Sequence, residues 1–242
     1  MPVLIDMFTS GGPIRSAALL DALKRDAKSA KDVDPATGNT PLHFVCCNGA
    51  PHGLVAALLE AWPGAAAVKD ADGNLPLFGA VSCGAAPEVV DLLLGAHPGA
   101  ARHEVDGKTA LHYACCYQCA PAVAEALIAA NPGACAVRDG DGSAPLHYAL
   151  VRAAHADVIA ALVAARPATC AERGFMGRLP LSLALLYEAH PNSVAIVRDA
   201  YPEATRNEEI IGDFRNHGKI ATNAKCPVCE PKPPQPSNFG QT

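Results

Sequence analysis

Gly38-Asn39-Thr40-Pro41-Leu42-His43 is the first of five related phrases. It returns as Gly-Asn-Leu-Pro-Leu-Phe at Gly73–Phe78 and Gly-Lys-Thr-Ala-Leu-His at Gly107–His112. Gly-Ser-Ala-Pro-Leu-His at Gly142–His147 and Gly-Arg-Leu-Pro-Leu-Ser at Gly177–Ser182 complete the series. Leu42, Leu77, Leu111, Leu146 and Leu181 step by 35, 34, 35 and 35 residues. A second marker keeps the same beat: Pro63, Pro98, Pro132, Pro167 and Pro202 also step by 35, 34, 35 and 35. Two phrases sharing one period identify a stacked array of small structural units.

The unit from Asp70 to Glu104 shows what each repeat encodes. Asp70-Ala71-Asp72-Gly73 is turn chemistry, because Asp bonds nearby backbone and Gly supplies positive φ. Asp106-Gly107 and Asp141-Gly142 repeat it, so a turn or short hairpin is expected before each phrase. Leu75 and Pro76 open a first helix, since proline is tolerated in a first turn, and Gly84 closes it. Glu88–Ala96 is a second helix, with Val89, Val90, Leu92, Leu93 and Leu94 apolar nearly all round, so neighbours must cover it. Pro98 and Gly99 stop it. Equivalent second helices carry Leu54, Val55, Leu58 and Leu59, then Val123, Leu127 and Ile128, then Val158, Ile159, Leu162 and Val163. The fifth is thinner, with Val194, Ile196 and Val197. No helix pair can bury its faces alone, so each is stable only against the next.

The phrase and its period resemble the ankyrin repeat. Thr40-Pro41-Leu42-His43 matches that family's Thr-Pro-Leu-His start of the first helix, and Thr109-Ala110-Leu111-His112 and Ala144-Pro145-Leu146-His147 miss one residue each. Leu75-Pro76-Leu77-Phe78 and Leu179-Pro180-Leu181-Ser182 keep the Pro-Leu centre. The resemblance spans residues 34–203 and implies an all-α fold, an α-solenoid of stacked helix-turn-helix repeats with short hairpin loops. One feature departs from the family. Its second helix ends in Gly-Ala with a period of about 33 residues, whereas here that helix runs into proline and the following link is about two residues longer.

The expected domain organisation is a capping half repeat over residues 1–33, five repeats over 34–203, a C-terminal cap over 204–222 and a Pro-rich tail over 223–242. In the front cap, Ala17, Leu19, Leu20 and Leu23 form an apolar stripe, and Lys24, Arg25, Asp26, Lys28 and Lys31 face water. In the back cap, Ile210, Ile211 and Phe214 share one side of a polar segment. The tail segment Pro231–Pro236 has no means of building a core.

Composition narrows the function. Half of the 242 residues are apolar, and the net charge is −5, which argues against duplex nucleic acid and anionic membrane surfaces as partners. No apolar run reaches the ~18 residues that span a bilayer. Residues 1–13 lack a basic start followed by a long apolar stretch, so no secretory signal is read there. Ten cysteines without such a signal read as reduced thiols, placing the chain in the cytoplasm or nucleus. Eight of them lie within the repeats, where cysteine serves as a small buried hydrophobe.

Several residues could carry chemistry. His43, His112 and His147 stand a repeat or more apart, about 10 Å per helix layer, so they cannot share a zinc whose ligands sit about 2 Å from one ion. The resemblance implies that this histidine bonds backbone and hydroxyl groups joining neighbouring units. Cys46, Cys47, Cys115, Cys116 and Cys119 read as small packing residues with one surface thiol, because no cation beside them in sequence lowers a thiol pKa. Cys226-Pro227-Val228-Cys229 has the bite of two zinc ligands, with His217 as a candidate third, but a structural site takes four. No metal, cofactor or catalytic residue is therefore assigned.

The reading favoured is a non-catalytic module or scaffold, monomeric, that binds a protein partner on the concave face a stacked array forms. In ankyrin-like proteins the contacts come from the hairpin tips and the exposed ends of the first helices. Carried onto this chain, they fall on Asn39, Asn48, Asn74, Lys108, Tyr117, Arg152, Phe175, Met176, Arg178 and Tyr187. Tyr and Arg dominate interface energetics. The alternative is an enzyme or zinc-dependent factor that uses the cysteines, including Cys226 and Cys229.

Overall fold

The computed structural model describes residues 3–9, 16–49 and 51–206. The C-terminal cap helix beyond Arg206, the Pro-rich tail, His217, Cys226 and Cys229 lie outside the described residues. The chain divides between Ala100 and Ala101 into two compact units. Each unit contains three helix pairs among the described residues.

In the first unit the pairs are α1 (Val3–Thr9) and α2 (Ser16–Arg25), α3 (Pro41–Cys47) and α4 (His52–Ala61), and α5 (Pro76–Ser82) and α6 (Pro87–Ala96). The phrase starts each first helix as its chemistry dictates. Thr40 is the N-cap of α3, in extended conformation at φ −89° and ψ 165°, and Pro41 follows at the first helical position, where no amide donor is required. The helix ends at Asn48, and Gly49 turns the chain at φ +62°, the left-handed step that closes many helices. Stacking follows the expected order, with α3 against α5 and α4 between α2 and α6. The core is aliphatic, built from Leu42, Val45, Leu54, Val55, Leu77, Val81, Val90 and Leu93.

Ahead of the first repeat stand two helices, α1 and α2. They form a whole helix pair, in which Leu4, Ile5 and Phe8 of α1 are buried and Phe8 stacks on Phe44 with ring centroids 5.2 Å apart. Of the apolar stripe on α2, Leu19 and Leu23 are buried and Ala17 is exposed.

In the second unit the pairs are α7 (Ala110–Cys116) and α8 (Pro121–Ala130), α9 (Pro145–Val151) and α10 (Ala156–Ala165), and α11 (Pro180–Leu186) and α12 (Pro191–Ala200). Here α9 packs between α7 and α11, and α10 between α8 and α12. Leu111, Cys115, Val123, Leu127, Leu146, Leu150, Ile159, Leu162, Leu181 and Leu185 fill the interior. Each unit is thus an all-α solenoid of stacked helix-turn-helix repeats.

The periodic proline does more than stop a helix. Each one opens a five-residue 3-10 turn, at Pro63–Ala67, Pro98–Arg102, Pro132–Ala136, Pro167–Ala171 and Pro202–Arg206. This turn absorbs the extra length of the link. The residue before it keeps one backbone conformation throughout: φ/ψ is −150°/89° at Trp62, −142°/83° at His97, −149°/86° at Asn131, −150°/83° at Arg166 and −142°/73° at Tyr201. Asp26 has the same conformation, −143°/89°, ahead of a 3-10 turn at Ala27–Lys31. The N-terminal pair therefore uses the link of the repeats without its proline.

The loops before the first helices are mostly Asx turns. A two-residue ladder forms only once among the described residues, between β1 (Glu104–Val105) and β2 (Lys108–Thr109), around Asp106-Gly107. Before α3, α5 and α9 a carboxylate closes the loop, whereas before α11 Gly174 takes that place and its amide bonds the Arg178 carbonyl at 3.0 Å. Asp70 Oδ1 accepts from the amides of Asp72 at 3.0 Å and Asn74 at 2.8 Å. Asp139 Oδ1 does the same for Asp141 at 3.0 Å and Ser143 at 2.9 Å.

Candidate protein-binding surface

Five residues at the ends of the first helices form one structural column: Asn48, Cys83, Tyr117, Arg152 and Tyr187. All are C-cap residues with nearly the same backbone, from φ/ψ −92°/3° at Arg152 to −110°/19° at Asn48. Since the backbone repeats, differences between these positions are side-chain differences, which is how a repeat scaffold acquires a particular surface. Three belong to the second unit. Tyr117 stacks on Tyr113, with centroids 6.5 Å apart and planes 11° from parallel. Arg152 Nε donates to the Cys116 carbonyl at 2.9 Å, and Gln118 Nε2 donates to the Arg152 carbonyl. Tyr117, Arg152 and Tyr187 are all half-buried, held by the scaffold yet reachable.

The positions after the phrase glycine behave differently in the two units. In the first, Asn39 Nδ2 donates to Thr37 Oγ1 at 2.9 Å and Asn74 Nδ2 reaches both Asp70 carboxylate oxygens, at 3.3 and 3.2 Å. Both amides hold their own turns. In the second, Lys108 Nζ lies 5.7 Å from the centre of the Tyr148 ring, and Arg178 Nη1 donates to Ser182 Oγ at 3.0 Å. The last loop tip presents Met176, 67 % exposed, whereas Phe175 is only 7 % exposed. Phe175 therefore serves packing and is not available as a contact; Met176 stands alone at that tip. Asn48 is exposed, its amide capping α3 through the Phe44 carbonyl at 2.7 Å.

The histidines are structural ties. Nδ1 of His43, His112 and His147 accepts the amide of Thr40, Thr109 and Ala144, each at 3.1 Å. The remaining proton is thereby placed on Nε2, which donates to the next loop: to Asn74 O at 3.2 Å, Ser143 O at 3.3 Å and Glu172 O at 3.1 Å. Both ring nitrogens are committed to the main chain, so none of the three is poised to take a proton from a thiol. Burial lowers all three pKa values from the ordinary 6.5, that of His112 to about 4.

That shift has a pH consequence. Between pH 6.5 and about 4 the unfolded chain takes up a proton at His112 that the folded chain refuses, so stability falls as pH falls through this window. For His112 alone the loss is on the order of 3 kcal/mol, and His43 and His147 act in the same direction. Urea midpoints measured from pH 7.5 down to 4.5 should decrease. His112→Phe, which installs the residue found at position 78, should flatten the slope. An unchanged slope in that variant would contradict the tie.

The cysteines mostly pack. Cys46, Cys115, Cys116, Cys119, Cys135 and Cys170 are all buried. Burial raises the thiol pKa of Cys119, Cys135 and Cys170 to about 11. Cys47 and Cys83 differ: the first is half-buried, the second exposed, and their thiols are hydrogen-bonded to each other. The sequence reading missed this pair because its members lie 36 residues apart; the repeat period itself was the signal. Among the described residues no group of three or more His, Cys, Asp or Glu is placed to hold a metal ion, and no helix is long and apolar enough to cross a membrane.

Comparison with known families matches part of the chain. The model for ankyrin repeats in three copies aligns with residues 86–172, from the N-cap of α6 to the end of the 3-10 turn after α10. No curated protein matches the chain.

Proposed function

We propose that this ankyrin repeat chain is a non-catalytic protein-binding module whose main contact surface lies in its second unit. Ankyrin repeats are in general protein–protein interaction modules. The observation that carries the finer reading is the helix-end column. At positions of constant backbone geometry, the second unit places Tyr117, Arg152 and Tyr187, the side-chain types that anchor interfaces most often. Each is half-buried, so little side-chain entropy remains to be lost when a partner covers it. Lys108, Arg178 and Met176 extend the surface toward the loops. Asn39, Asn48 and Asn74 would serve as a polar counterpart in the first unit.

The enzyme alternative finds less support among the described residues. Its histidines are tied at both nitrogens and its buried thiols are held protonated. The zinc version rests on Cys226 and Cys229, outside the described residues. The chain is read as a monomer of the cytoplasm or nucleus that binds neither nucleic acid nor membrane.

The test is an affinity measurement on a captured partner. Tyr117→Ala combined with Arg152→Ala should weaken binding by about 2–4 kcal/mol, or roughly 30- to 1000-fold. A chain truncated after residue 222 should bind like the full chain. Arg152 also bonds the Cys116 carbonyl, so Arg152→Lys serves as a control, and thermal melts report on folding. If truncation abolishes binding while the double variant does not, recognition belongs to the tail.

A further inference from the structure

Cys47 ends α3, and Cys83 caps α5, the helix stacked directly on it. Their sulfurs meet because α5 is pared down at the contact. A Cβ placed on Gly79 would lie 2.5 Å from Cys47 Sγ, so only glycine lets that sulfur settle on the helix. Gly79 is one turn before Cys83, whose amide donates to the Gly79 carbonyl at 3.0 Å. Cys47 Sγ thus rests on the last turn of α5, in hydrogen-bond contact with the Cys83 thiol. In the second unit the same two positions are joined differently, by Arg152 Nε on the Cys116 carbonyl. Only in the first unit does this step between neighbouring helix ends pair two thiols.

We propose that Cys47 and Cys83 are a peroxide-sensitive dithiol, which closes to a disulfide joining the end of α3 to the end of α5. The proposal does not depend on the protein-binding reading.

The two sulfurs are unequal, and the inequality sets the order of events. Cys83 is exposed and accepts the hydrogen bond of Cys47, which lowers its pKa against the opposing effect of burial. Cys47 is the donor, and that bond, together with burial and the neighbouring Cys83, Cys46 and Asp70, raises its pKa. Cys83, the sulfur that a peroxide in solution can reach, is therefore the nucleophile. Its sulfur attacks one oxygen of a hydroperoxide, the O–O bond breaks, and the leaving hydroxide or alkoxide takes a proton to depart as water or alcohol. Cys83 is left as a sulfenic acid. Cys47, already in contact, attacks that sulfur; the S–O bond breaks, the thiol proton leaves with the oxygen as water, and the disulfide forms. Two thiols are oxidised by two electrons, and one peroxide is reduced. Cys46 is the competing thiol, but it is fully buried and held protonated.

The experiment uses the full chain treated with one equivalent of hydrogen peroxide near neutral pH, digested without reductant and fragmented by mass spectrometry. A reductant-sensitive link between Cys47 and Cys83 is expected. Cys47→Ser should instead accumulate a dimedone-reactive sulfenic acid on Cys83, and Cys83→Ser should give neither product. Before oxidation, iodoacetamide should label Cys83 at least about tenfold faster than any buried thiol. The proposal is overturned by a stable Cys83 sulfenic acid in wild type, by Cys83-linked dimers on a non-reducing gel, or by a link through Cys46 in place of Cys47.

Discussion

Leu111→Asp is expected to unfold more than the repeat that carries it. Leu111 lies in α7 and is 1 % exposed. The substitution removes an aliphatic side chain from a packed position and leaves a carboxylate with no partner there. The cavity and the desolvated polar group together should cost about 4–5 kcal/mol, much of the stability of an ordinary domain. The damage should spread because α7 packs on α9, and each helix pair is stable only against its neighbours. Hydrogen exchange should show lost protection in α9 and α10, outside the mutated repeat. Protection unchanged in those helices would show that the repeats fold independently.

Gly174→Ala should be nearly as damaging, although it adds only a methyl group. A Cβ at residue 174 would lie 2.4 Å from Cδ2 and 2.6 Å from Nε2 of His147. The ring is fully buried and held on both sides, by the Ala144 amide and the Glu172 carbonyl. It cannot withdraw without breaking one of these bonds, so overpacking adds to a lost hydrogen bond, for about 2–4 kcal/mol in all. Gly140→Ala is the control, since a Cβ there meets nothing within 4 Å. Urea unfolding of both variants checks the account. Equal midpoints would mean that the His147 tie contributes little.

What the sequence made legible was whatever the period repeats. The phrase located Thr40, Pro41 and their counterparts at helix starts, and the apolar runs located the second helices, because capping and burial depend on local residue types. The proline marker was read only as a stop. Its role in opening a 3-10 turn became visible in the backbone, where Asp26 adopts the same conformation without the proline. The first helix, α1, escaped because Val3–Thr9 lacks the phrase; its place is set by tertiary contacts such as Phe8 on Phe44.

The surface was less legible than the fold. Phe175 and Met176 are adjacent loop residues, and composition does not say which one turns inward; the positive φ of Met176, +56°, and the burial of Phe175 decide it. Asn39 and Asn74 occupy the expected contact position yet are drawn into their own turns. Cys47 looked unremarkable because its partner is a whole repeat away.

The most direct test of the protein-binding account is hydrogen exchange on the full chain, free and saturated with its captured partner. New protection is expected at the loop and helix-end amides of the second unit, around 106–109, 117–119, 152–154 and 176–178, with the buried second helices unchanged. Protection confined to residues 207–242, with those amides exchanging as in the free chain, would contradict it.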